Sequence, residues 1–66
     1  MRKWTASWNR RSYEIHHEPQ APGYYLFIYA DGRMVDERFD DSVELCKQAA
    51  AKEFGVPEGC WQPASE

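Results

Sequence analysis

Residues 24–39 read YYLFIYA-DG-RMVDERF, and the rest of the chain is best understood outward from them. The first run, Tyr24–Ala30, is dense in aromatic and β-branched residues, which suit a pleated, half-buried surface. The second, Arg33–Phe39, alternates. Asp31-Gly32 stands between them, a pair that tolerates positive φ at both positions and so reverses a chain in two residues. The spacing predicts a hairpin in which Ala30 opposes Arg33, Ile28 opposes Val35, Leu26 opposes Glu37 and Tyr24 opposes Phe39. One face then shows Tyr24, Leu26, Ile28, Val35 and Phe39. The other shows Tyr25, Phe27, Tyr29, Met34, Asp36 and Arg38.

Downstream, the pattern predicts a helix over about 42–54. Asp41 suits its N-cap, with Glu44 completing a capping box, and Asp40 and Asp41 also complement the positive helix N-terminus. One half of that helix gathers Val43, Leu45, Cys46, Ala49, Ala50 and Phe54; Glu44, Lys47, Gln48, Ala51 and Lys52 take the other. Gly55, Val56 and Pro57 then give a left-handed cap, its hydrophobic partner and a stop. In the tail, 55–66, Trp61 is expected to fold back over one end of the core.

Upstream, Ser12–His17 puts Tyr13, Ile15 and His17 on one side of a strand, and Glu18–Gly23, with two prolines, reads as a loop. Trp4, Ala6 and Trp8 alternate with Thr5, Ser7 and Asn9. The apolar parity changes within Asn9–Ser12, which requires a turn or sharp bend. The fold class expected is therefore α+β in one domain, 1–66. It is a three- to four-stranded antiparallel β-meander (about 3–8, 12–17, 24–30 and 33–39) with one C-terminal helix packed on one face. Leu26, Ile28, Val35 and Phe39 are the expected partners of Val43, Cys46, Ala50 and Phe54.

With 66 residues, ten of them aromatic, the core is small; such domains rarely reach more than about 3–5 kcal/mol of stability. No apolar run approaches the roughly 18 residues of a spanning helix. Met1-Arg2-Lys3 is followed by a Trp/Ser/Asn mixture unlike a signal peptide, so a cytoplasmic location is expected. Cys46 and Cys60 are compatible with one disulfide, but a reducing compartment favours free thiols, with Cys46 acting as a small hydrophobe on the helix face.

Charge is unevenly placed. Residues 1–13 hold Arg2, Lys3, Arg10 and Arg11 and no acid, whereas residues 14–66 hold four bases and eleven acids, giving −3 for the whole chain. Asp36, Glu37, Asp40, Asp41 and Glu44 crowd into nine residues. Capping and edge protection account for part of that cluster; a negative surface docking on a basic partner, and competing there with nucleic acid, is the functional reading. The alternating ligand spacing of a calcium loop is missing.

Tyr25, Phe27 and Tyr29 form a second candidate surface. Aromatic side chains on an open sheet can stack nucleic-acid bases, with Arg10, Arg11 and the other N-terminal bases meeting phosphates. Two alternatives compete: Trp4 and Trp8 cover this face as a second small core, or the face is buried in a homodimer. Adjacent in a strand, His16 and His17 point to opposite faces and cannot share a metal. A zinc site joining one of them to Cys46 and Cys60 lacks any recognised spacing. No glycine-rich phosphate motif is present, no nucleophile pair stands out, and room for a pocket of roughly 300 Å³ is not expected. Neither an enzyme nor a cofactor is therefore expected.

The stretches YLFIYADGR (25–33) and FDDSVELCKQAAAKEFGVPEGCW (39–61) resemble a group of short uncharacterised bacterial proteins with a strand, an acidic turn, an Ala-rich helix ending in EFGVP, and a Trp soon after. Every feature of that resemblance is structural, so it implies no activity and no site residues. By class alone, size and acidity fit small inhibitors encoded by phages and mobile elements, including anti-CRISPR and immunity proteins. The expectation is a non-enzymatic protein-binding module, an inhibitor or regulator, acting through Asp36, Glu37, Asp40, Asp41 and Glu44. Nucleic-acid binding and a homodimeric structural role are the alternatives.

Overall fold

The computed structural model describes residues 2–65. In chain order they form β1 (Arg2–Trp8), β2 (Arg11–His17), β3 (Tyr24–Ala30), β4 (Arg33–Asp40), α1 (Val43–Phe54), a short 3₁₀ turn (Glu58–Cys60) and β5 (Gln62–Ser65). Asp31 and Gly32 take φ of 54° and 77°, the left-handed pair that joins β3 to β4. Asn9 and Arg10, at 53° and 67°, join β1 to β2 in the same way. The parity change between Trp8 and Tyr13 is thus a two-residue hairpin, with Trp8 paired to Arg11 and Ala6 to Tyr13.

All five strands are antiparallel, in the order β4-β3-β2-β1-β5. The meander predicted from sequence supplies four of them. The fifth corrects the expectation of three to four strands and of a helix as the last element: after α1 the chain pairs Gln62 with Thr5 and Ser65 with Arg2. Only four residues long and containing Pro63, β5 carries almost no local strand signal, and an edge position is where a sheet tolerates proline.

Ala6, Tyr13, Ile15, Leu26, Ile28, Cys46, Ala50, Val56 and Trp61 are buried together, with Trp4, Tyr24, Val43, Ala49 and Phe54 packed around them. Trp61 does close one end of this core, its ring 6.4 Å from that of Tyr13 and edge-on to it. Gly55 caps α1 at φ 74°, its N–H donating to Ala51 and that of Val56 to Ala50. The N-cap is Ser42, whose hydroxyl accepts from the Leu45 N–H at 3.2 Å. Asp41 therefore lies one residue outside the helix, and Glu44 is not placed to close a capping box.

A second correction concerns β4. The register slips by one residue at Ile28/Tyr29, so that Tyr29 pairs with Met34 but Ile28 pairs with Asp36, leaving Val35 as the extra residue of a β-bulge. Beyond a bulge, every side chain changes face. Arg38 rather than Phe39 consequently lies on the helix side, opposite Leu26, while Phe39 stands opposite Tyr25 on the far side. Val35 is 55 % exposed and Phe39 47 % exposed, so neither packs beneath α1 as the alternation alone predicts. Gly23 makes room for this arrangement: a Cβ there would lie 2.6 Å from the Phe39 ring and 2.7 Å from the Asp40 carbonyl.

Candidate interaction face

Directly opposed residues of an antiparallel pair share a face, so the registers define the side that α1 leaves uncovered. Across β1, β2, β3 and β4 it carries three rows: Lys3, His16, Tyr25 and Phe39; then Thr5, Glu14, Phe27 and Glu37; then Ser7, Ser12, Tyr29 and Met34. Tyr25 and Phe27 lie nearly parallel, 9° between planes and 6.1 Å between centroids. Phe39 meets Tyr25 at 5.0 Å, and His16 meets Phe27 edge-to-face at 5.0 Å. These are favourable aromatic geometries, and they join four rings from three strands into one surface. Glu14 and His16 are tied through Oε1 and Nε2 at 2.8 Å. The Tyr29 hydroxyl titrates above its ordinary range because burial disfavours the phenolate and the Glu14 charge repels it.

Tyr25, Phe27 and Tyr29 are thus brought together as their alternation predicts. Trp4 and Trp8 do not cover them. Both lie on the helix side of β1, Trp4 packed on the core and Trp8 beside Gly55, which removes the reading in which they form a second core. The basic residues are also elsewhere. Arg2 lies over the Trp4 ring at 4.9 Å and Arg11 over the Phe54 ring at 5.8 Å, both on the helix side, and Arg10 occupies the β1–β2 turn. Among the described residues, Lys3 is the one lysine or arginine that the registers assign to the aromatic face.

The acidic residues divide. Asp36 points to the helix side, where Arg38 donates to it at 2.6 Å and reaches across to Glu53 of α1 at 3.1 Å. These bonds hold the Asp36 and Glu53 carboxyls below the usual carboxylate range and raise Arg38 further above neutrality. Glu37 stands on the aromatic face opposite Phe27. Asp40 ends β4, while Asp41 and Glu44 are exposed at the start of α1. The five carboxylates therefore wrap the β4 edge and the helix N-terminus, and do not form one plane. Glu14, His16 and Phe39 belong to the candidate face although the sequence reading did not select them. Alternation within β2 already separates Glu14 and His16 from Tyr13 and Ile15, which would have placed the first two; nothing comparable marks Phe39, whose side depends on the bulge.

His16 and His17 face opposite ways, His17 stacking on Tyr24 at 4.2 Å. Cys46 and Cys60 are free thiols. Among the described residues no three His, Cys, Asp or Glu side chains gather as metal ligands, and no helix is long and apolar enough to cross a membrane. One expectation about space needs correcting. An open groove of about 340 Å³ runs along the β1–β5 side, lined by Thr5, Ala6, Ser7, Cys60 and Gln62. It arises because β5 pairs only with Arg2–Thr5, leaving the rest of β1 without a strand neighbour there.

Set against known protein families, curated proteins and solved structures, the chain finds no match.

Proposed function

We propose that this chain is a small, non-enzymatic protein-binding module, an inhibitor or regulator whose partner presents a basic surface. The observation that carries this reading is the uncovered face of the sheet: with one helix on one side, Tyr25 and Phe39 stay exposed, at 38 % and 47 %, with Phe27 half-buried beside Tyr25. Aromatic side chains clustered at the centre of a patch and ringed by charge are the usual anchors of a protein interface. Glu14 and Glu37 lie on the face itself, while Asp40, opposite Tyr24 on the helix side, and the exposed Asp41 and Glu44 at the start of α1 add negative charge at the adjoining edge. That arrangement steers a basic partner and repels phosphates. Direct binding of single-stranded nucleic acid is the second reading, favoured by the rings alone; the position of Arg2 and Arg11 on the opposite side weighs against it.

Photo-crosslinking from each side of the molecule tests the proposal. A photoreactive side chain at position 25 or 39 should yield protein adducts in the native cell, and one at position 48 on the outer side of α1 should not. Charge reversal at Asp40, Asp41 and Glu44 should weaken the adducts at 25. Adducts only with nucleic acid, or equal yields from both sides, would overturn the reading.

A further inference from the structure

We infer that the open face holds an arginine side chain of the partner protein over Phe27, between Glu14 and Glu37. This rests on the docking reading above and adds the chemistry of its anchor. Phe27 pairs with Glu14 on one neighbouring strand and with Glu37 on the other, so a ring and two flanking carboxylates form a single row across the sheet. With strands about 4.8 Å apart, the two glutamate backbones stand roughly 9–10 Å from each other, a span that a guanidinium fits with one edge toward each carboxylate. Tyr25, parallel to Phe27, widens the ring surface, and the bond from His16 fixes the position of the Glu14 carboxylate along β2.

Among the described residues no lysine or arginine stands in this row, and Glu14 shares Oε1 with His16 of the adjacent row at 2.8 Å. The remaining member of the Phe27 row on β1 is Thr5, and Gln62 follows on β5. An aromatic ring between two anions attracts a cation twice over, through the ring quadrupole and through the carboxylates. Arginine satisfies both together: its planar group stacks on rings while its several N–H donors engage two carboxylates, which a lysine ammonium cannot do in that geometry. The same row repels a phosphate backbone.

The test uses the ¹⁵N-labelled chain titrated at low salt with the peptide acetyl-Gly-Arg-Gly-amide, beside the same peptide carrying lysine or citrulline. The arginine peptide should produce saturable shifts at Glu14, Phe27 and Glu37, weakened about tenfold by the double substitution Glu14→Gln/Glu37→Gln. Citrulline, neutral and of the same shape, should leave these signals in place. The amide spectrum of the double variant reports whether it is folded, and Glu37→Gln alone, at an exposed position, gives an independent reading with a smaller loss. Equal shifts from citrulline, shifts centred on Asp40–Glu44, or affinity unchanged by the glutamine variants would overturn the inference. Preference for lysine over arginine would also overturn it. Protein crosslinks at 25 and 39 without arginine preference would remove this anchor and leave the docking reading standing.

Discussion

Tyr13 is 1 % exposed, and among the described residues its hydroxyl has no hydrogen-bond partner. A buried polar group left unsatisfied costs about 1–3 kcal/mol, whereas the ring itself packs against Phe54 and Trp61. Tyr13→Phe keeps that packing and removes the orphan, so it should stabilise the fold by about 1 kcal/mol, seen in urea unfolding as a higher midpoint with unchanged slope. Cys46 is the other buried group with a measurable signature. Burial, aided by the charge of Asp40, pushes its thiol up to about 11. The folded state thus prefers the neutral form: its contribution is complete below the unfolded thiol's value, near 9, and disappears as pH rises through about 11. Wild-type stability should fall across that interval by roughly 1–3 kcal/mol more than that of Cys46→Ala, measured by denaturant titrations at pH 8 and pH 11.

Among the elements, α1 offers a test that separates two neighbouring residues. Ser42 supplies the cap and Asp41 does not, so Ser42→Ala should cost about 1 kcal/mol. On a domain of this size that lowers Tm by about 4–8 °C. Asp41→Ala removes only a charge near the helix N-terminus and should move Tm by less than half as much. Asp41 and Ser42 are both strong capping residues, and which one leaves helical geometry is decided by where β4 ends. The bulge at Val35 is the larger departure from what the residues disclosed. The Asp-Gly turn, the strands on either side and the apolar stripe of α1 were all legible, because each is specified within a few neighbouring residues. A bulge without glycine or proline has no such mark. The rule of alternation therefore ran correctly as far as Met34 and then put Arg38 and Phe39 on exchanged sides. Of the candidate face, Tyr25, Phe27 and Tyr29 could be read from period two within β3, and Glu14 and His16 from period two within β2; Glu37 and Phe39 required the β3–β4 register, which the bulge displaces by one residue.

For the molecule as a whole, the margin is narrow. A core of this size supplies about 3–5 kcal/mol, and a buried tryptophan truncated to alanine typically costs about 3–5 kcal/mol. Trp61, 8 % exposed, is held between Tyr13 and the start of β5. Trp61→Ala should therefore leave most of the chain unfolded at 25 °C, shown by collapse of amide dispersion in the NMR spectrum. Loss of Leu45, 43 % exposed on α1, should do little by comparison. β5 was the element least accessible from the residues alone, since its partner β1 lies at the far end of the chain and no short-range pattern relates Gln62–Ser65 to Arg2–Thr5.

That pairing of β5 with β1 also orders events in time. The two tight hairpins close over loops of two residues, but joining Arg2 to Ser65 encircles nearly the entire polypeptide, and the entropy of closing a loop grows with its length. The meander can nucleate locally and early, while the outermost strand docks last and, on warming, detaches first. Amide protons along β5 should accordingly exchange with solvent faster than those of β2 and β3, so the rim of the sheet opens while its centre still holds.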